Sequence, residues 1–268
     1  MGDGRRELPG SGSRETKNRQ EAHLAARCLP RVFRCQPVAR RPSPVPGSFD
    51  DSDPNYHLQM ADEPIISRGF RGRRVAADRQ NRIPPGQYEE RDFPVLSAGP
   101  TPRTPLAKWD FTLRGVDGAT AKWTWDELQA LPHETITRDI HCVTKWTKLD
   151  TTWEGISVDT LIAAAAARGV KTAPFIVAYS DGGYTTNLPL DDVTGGKAWI
   201  AFGYGGTPLH PEHGGPARLL VPHLYFWKSA KWVRGIQFTA HNEPGFWEVN
   251  GYHDRGDPWR EQRYTGDP

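Results

Sequence analysis

Among the residues able to do chemistry, Cys142 is distinguished by its setting. It ends an extended segment, residues 136–143, and is followed by Trp146, Trp153 and a well-signalled helix. The other two cysteines, Cys28 and Cys35, lie in an N-terminal stretch that does not read as folded protein, so no disulfide framework is expected and a reducing compartment is. Three readings of the thiol stay open. It can be an inert core residue, because free cysteine is often buried. It can be a nucleophile, but the adjacent His141 points to the opposite face of a strand, so a base must come from elsewhere. It can be a soft metal ligand; one thiolate cannot hold a zinc ion alone, so the metal must bring ligands of its own, as a metal-organic cofactor does.

A second constellation runs from His210 and His213 through Gly214-Gly215-Pro216-Ala217-Arg218 to Tyr225-Phe226-Trp227-Lys228-Ser229-Ala230-Lys231. Glycines let backbone N–H groups approach an anion, and an arginine with two lysines supplies charge, which suits a phosphate-bearing ligand. Such residues are also common on ordinary surfaces, and neither a Walker motif nor a Gly-x-Gly-x-x-Gly run opening a helix marks a nucleotide site. A third constellation, residues 245–259, is dense in aromatic and ionisable side chains and reads first as aromatic packing across the domain.

These groups need elements to position them. Residues 109–115 alternate apolar and polar like a half-buried strand, and Asp117-Gly118 signals a turn before residues 119–125. Residues 126–131 predict a short helix stopped by Pro132, and 133–143 a strand with Ile136, Ile140 and Cys142 on one face. Ser157 can cap a helix with Asp159 in its first turn and a body over 161–168, ending at Gly169. Strands are expected at 175–180, 198–204, 218–222 and 232–240. Many strands with few helices predict an α+β, mainly β domain whose loops meet at one site.

A net charge of +2 gives no case for nucleic acid. Residues 1–59 carry ten Lys/Arg against seven Asp/Glu, with many Arg, Pro, Ser and Gly and little apolar periodicity, the pattern of a chain that cannot bury enough surface to fold. Met60 is the only methionine besides Met1 and opens the organised sequence, so 1–59 is expected to be upstream translation, with a disordered leader as the alternative. Residues 60–92 form a basic arm whose arginines read as a solvated extension rather than a polyanion site, and 93–268 form the domain. No run approaches the roughly 18 apolar residues of a membrane span, and the N-terminal stretch reads as a poor export signal, so a cytoplasmic protein is expected.

Four motifs in order carry a resemblance: Ile140-His-Cys142-Val-Thr-Lys-Trp146, Trp153-Glu-Gly-Ile-Ser-Val-Asp-Thr-Leu161, Gly215-Pro-Ala-Arg218-Leu-Leu-Val-Pro222 and Lys228-Ser-Ala-Lys231. Together they resemble the molybdopterin-binding domain of the sulfite oxidase family over about residues 90–245, and the tail resembles its bacterial, sulfite-oxidase-like branch. The resemblance implies a mixed-sheet, single-domain sulfite oxidase-type fold. It also implies a molybdenum held by the two dithiolene sulfurs of one pterin per chain and by the Cys142 thiolate. By motif, Arg218, Ser229 and Lys231 meet the pterin or its phosphate with Lys228 beside them, His213 takes the place of an Asn contact, Ser180 falls near a Thr contact, and Phe93 corresponds to an N-terminal pterin segment.

Animal and plant sulfite oxidases follow the cysteine with an arginine-bearing run that helps to bind sulfite. Here Val143-Thr144-Lys145-Trp146 is closer to the Cys-Val-x-x-Trp pattern of bacterial methionine-sulfoxide reductase subunits. The resemblance therefore implies two-electron oxo transfer on a small sulfoxide, N-oxide or other oxyanion rather than on sulfite. No haem motif and no room for an immunoglobulin-like domain follow, so a separate electron carrier is expected. The alternative is a non-catalytic protein that keeps the fold and binds the pterin or a partner.

Overall fold

Period-two alternation becomes two mixed sheets in the computed structural model, which describes residues 77–268. The strands are β1 (Tyr88–Glu89), β2 (Asp110–Arg114), β3 (Thr120–Thr124), β4 (Glu134–His141), β5 (Trp146–Ser157), β6 (Phe175–Ser180), β7 (Thr185–Pro189), β8 (Trp199–Tyr204), β9 (Thr207–Pro208), β10 (Arg218–Leu220) and β11 (Val233–Thr239). One sheet runs β1-β5-β8-β10, with β4 also on β5 and β9 on β8; the other runs β3-β2-β11-β6-β7. β1 lies parallel to β5 and β11 parallel to β2, while the remaining pairs are antiparallel.

The alternation sorts side chains as expected. Phe111 and Leu113 of β2 and Ala121 and Trp123 of β3 turn inward, where they join Ile156, Leu161, Ile176, Val233 and Phe238 in the main core. Among the described residues the α-helices are short: α1 (Ala77–Gln80), α2 (Trp125–Gln129), α3 (Val158–Ala166) and α4 (Phe246–Val249). The Ser157 hydroxyl caps α3 by accepting from the Thr160 N–H (3.3 Å), and Asp159 accepts from the Gly195 and Gly196 N–H groups, tying the helix to the loop before β8. β7 lies between two strands the sequence predicted and was not itself among them.

A second, smaller core forms where β4 and β5 meet β8 and β10. It gathers Ile136, Ile140, Cys142, Trp146, Trp153, Trp199 and Leu220, with Phe93, Tyr204 and Phe226 packed against it. The described part of the basic arm lies on this hairpin: Arg82 donates to Asp139 and Asp150, both at 2.5 Å. Residues 1–59 lie outside the described residues, as does the arm before residue 77. Among the described residues no helix is long and apolar enough to cross a membrane.

Candidate active site

Cys142 sits at the tip of the β4–β5 hairpin, one residue beyond the strand, which ends at His141 rather than running on to Val143. Its N–H donates to the Trp146 carbonyl (2.8 Å) and its carbonyl accepts from the Lys145 N–H (3.0 Å), so backbone bonds close the loop. Lys145 makes the turn with φ 76° and leaves its side chain exposed. The sulfur is buried, and Thr144 Oγ1 donates to it at 3.1 Å.

Burial pushes the Cys142 thiol up; the Thr144 hydroxyl, the Thr144 and Val143 backbone and the Arg263 charge oppose it. His141 cannot serve as its base. Its Nδ1 lies 3.0 Å from Thr147 Oγ1, and burial lowers the imidazole to about 4. A raised thiol without a facing base is a poor nucleophile. Among the described residues, no three His, Cys, Asp or Glu side chains converge to hold a metal ion by themselves.

The downstream motif folds against this loop. Arg218 is buried in β10 and donates from Nη1 to the His213 carbonyl and from Nη2 to the Ser229 carbonyl, both at 2.7 Å. Its guanidinium lies 4.0 Å from the Phe226 ring centroid and 5.7 Å from that of Trp153. Lys231 Nζ donates to the carbonyls of Leu96 (2.8 Å) and Glu212 (2.6 Å). Burial lowers Arg218 to about 9, and burial together with the Arg218 charge lowers Lys231 to about 7. Neither cation has a carboxylate within ion-pair range among the described residues. Arg218 is buried and Lys231 half-buried, and desolvated charge without a counter-ion is costly in a way that an anionic ligand relieves.

Phe93 links the cradle to the cysteine loop. It stacks on His213 at 4.0 Å with an interplanar angle of 10°, and packs edge-on against Trp146 and Trp153. His213 is held near 4 by burial and then by the Lys231 and Arg218 charges, so it is neutral; its Nδ1 is buried without a hydrogen-bond partner. The Ser229 hydroxyl accepts from the Val221 N–H at 2.8 Å. Ser180 ends β6 opposite Val233, beside the Lys231–Trp232 segment, with its hydroxyl buried and unpartnered.

Lys228 is not brought to this group. Its ammonium is wholly buried 2.6 Å from Glu248 Oε1 and donates to the Asn187 carbonyl (2.9 Å) and Oδ1 (3.1 Å). Two residues outside the sequence motifs, Gln87 and Arg263, reach the cysteine loop, and Thr144, within the motif, was given no role there. Gln87 Nε2 donates to the Cys142 carbonyl (3.3 Å), Thr144 meets the sulfur, and Arg263 Nη1 donates to the Val143 carbonyl (2.8 Å). The density of polar and aromatic residues in the tail was a signal for Arg263, although the dense run ends at Trp259.

Residues 98–247 match the family described as the oxidoreductase molybdopterin binding domain. The chain belongs to that family. Over 197 residues it is 43% identical to the uncharacterized oxidoreductase YuiH of Bacillus subtilis (strain 168), covering 73% of this chain and 98% of the relative. It is 27% identical over 132 residues to the putative protein-methionine-sulfoxide reductase subunit YedZ1 of Azospira oryzae, covering 49% of each chain. It is also 25% identical over 164 residues to the protein-methionine-sulfoxide reductase catalytic subunit MsrP of Ralstonia nicotianae, covering 55% of this chain and 49% of that one. The chain thus spans about half the length of these last two relatives. The mixed-sheet fold and the oxidoreductase class expected from the sequence agree with this membership.

Proposed function

We propose that the chain is a molybdenum-dependent oxidoreductase whose metal is ligated by Cys142, with one pterin held by Phe93, Ser180, His213, Arg218, Ser229 and Lys231. The observation that carries this is the pairing of a lone buried thiol with two uncompensated cations, Arg218 and Lys231, across one aromatic cluster. The donor set fits such a group: one soft sulfur, positive charge for a phosphate, and buried polar atoms without partners at His213 Nδ1, Ser180 Oγ and Trp146 Nε1. When bound, the cofactor supplies two-electron oxo transfer to or from a small substrate.

The chain supplies the setting. Cys142 would hold the metal as a thiolate, and the Thr144 hydroxyl, which donates to the sulfur, would tune it. Trp146, Trp153 and Phe226 keep water from the thiolate side. The sulfoxide-reductase names of two relatives support a sulfoxide as substrate, within a proposed wider class of N-oxides and small oxyanions, and the word subunit in both names supports a separate electron carrier. Elemental analysis of protein from a pterin-competent host tests the reading. Molybdenum near one per chain in the wild type and its loss in Cys142→Ser are expected; full retention of metal and activity in that variant would sink it.

A further inference from the structure

A cleft of about 570 Å³ opens beside the cysteine hairpin, and none of Phe93, Cys142, His213, Arg218, Ser229 or Lys231 lines it. His141, although only 5% exposed, forms part of its wall, and a chain of hydrogen bonds fixes which ring nitrogen carries the proton. The Gln87 amide donates from Nε2 to the Cys142 carbonyl (3.3 Å), which leaves its Oε1 to accept from the Thr147 hydroxyl. With its one proton spent there, Thr147 Oγ1 accepts from His141 Nδ1, 3.0 Å away. Nε2 of the ring is therefore an acceptor, and among the described residues nothing donates to it. An acceptor without a donor on a nine-tenths buried side chain is a contact that a ligand N–H can complete.

The rest of the wall supplies flat surfaces and positive charge. The Arg138 guanidinium lies 5.4 Å from the Trp199 ring centroid, and the half-exposed Trp259 ring stands edge-on to His141 at 6.3 Å. Arg138 and Lys197 have no carboxylate within ion-pair range among the described residues. The carboxylates of the wall are engaged: Asp139 meets Arg82, and Asp192 is shared by His223 and Arg255. Aromatic faces beside unpaired cations suit a planar ring with an anionic tail, and the volume falls within the roughly 300–1,000 Å³ of small-molecule sites. We infer that this cleft is a second ligand site, which takes a planar heteroaromatic phosphate whose ring N–H donates to His141 Nε2. The relay from that nitrogen through Thr147 and Gln87 ends on the Cys142 carbonyl, so an occupant meets the loop that carries the thiol through two side chains.

Flavin mononucleotide serves as the probe, because it combines one ring N–H, a phosphate and its own fluorescence. Titrated with the full chain, it is expected to show saturable quenching. Riboflavin, which lacks the phosphate, and the N3-methyl analogue, which lacks the N–H, should each bind about tenfold more weakly. Arg138→Gln with Lys197→Gln is expected to weaken the phosphate-bearing probe about tenfold and to leave riboflavin within about twofold. Both cations are exposed, and Lys197→Gln alone, with an expected loss of about threefold, carries the test should the paired variant not fold. Absence of saturable binding at millimolar probe, an N3-methyl analogue that binds as tightly as its parent, or an affinity unmoved by these substitutions overturns the inference. So does a loss confined to Lys231→Met, which would put the probe in the cradle. Each readout is a binding constant that needs no molybdenum, so failure here leaves the metal centre standing, and failure of the metal centre leaves this cleft.

Discussion

Lys228 and Lys231 flank one turn of chain and meet opposite fates. Lys228 is wholly buried against Glu248, which also accepts from Trp227 Nε1, and its remaining donors go to Asn187. Asn187 in turn donates to Asn242 and Asp254, so this ion pair joins β7, the turn and the tail in one network. Lys231 and its neighbour Arg218 are held by carbonyl oxygens and aromatic faces, with no carboxylate partner among the described residues. The difference separates a charge neutralised within the fold from two that have no carboxylate partner among the described residues, the pair proposed to meet the cofactor. Motif order places both lysines at the pterin; the partners of each ammonium divide them.

The largest effect that would break this division is on stability. Lys228→Met strands the Glu248 carboxylate in the core and is expected to cost about 3–5 kcal/mol. Lys228→Met with Glu248→Leu should recover most of that loss, because removing both charges of a buried pair is far less damaging than removing one. Urea unfolding of the metal-free proteins measures both. A single variant as stable as the wild type that nevertheless fails to retain pterin would return Lys228 to the cofactor's side.

The sequence made the cradle legible because its residues are contiguous: His213, Arg218, Ser229 and Lys231 share one loop-strand-turn segment, and their spacing survives in a fold built from local hairpins. Cys142 was legible for a similar reason, its hydrophobic alternation with Ile136 and Ile140 marking the buried face. Partners distant in sequence were not. Glu248 gives no sign in a linear reading that it will neutralise Lys228, and Arg263 lies 120 residues from the carbonyl it holds. The short β7 also escaped, since Thr185, Thr186 and Asn187 look like loop residues until β6 supplies their pairing.

A second effect concerns pH. Burial and the Arg218 charge bring Lys231 to about 7 in the folded, metal-free protein, below its ordinary value of 10.5. Below about pH 7 the folded state bears the full cost of the buried charge; between there and 10.5 the unfolded chain binds the extra proton, so stability rises with pH. Lys231→Met should therefore be more stable than wild type at pH 6, with the gap closing as the pH rises. Anion binding has the opposite dependence. Sulfate affinity that depends on Lys231 should fall by up to about tenfold per pH unit above the lysine's pKa. Sulfate keeps its charge across this range, so calorimetry on wild type and Lys231→Met isolates the lysine; parallel pH profiles would place Lys231 with Lys228 as a purely structural charge.

The smallest expected effect lies between the two lysines. The Ser229 hydroxyl accepts from the buried Val221 N–H, while its backbone carbonyl accepts from Arg218. Ser229→Ala leaves the N–H without an acceptor and keeps the carbonyl, so a loss of about 1 kcal/mol in metal-free stability is expected. The hydroxyl's own proton remains free to donate to a ligand. If Ser229 meets the pterin, the variant should release the cofactor faster as well, seen as earlier loss of molybdenum on dialysis. A stability loss with unchanged release would put Ser229 on the Lys228 side of the division, and the boundary between fold and cofactor would then fall between Ser229 and Lys231.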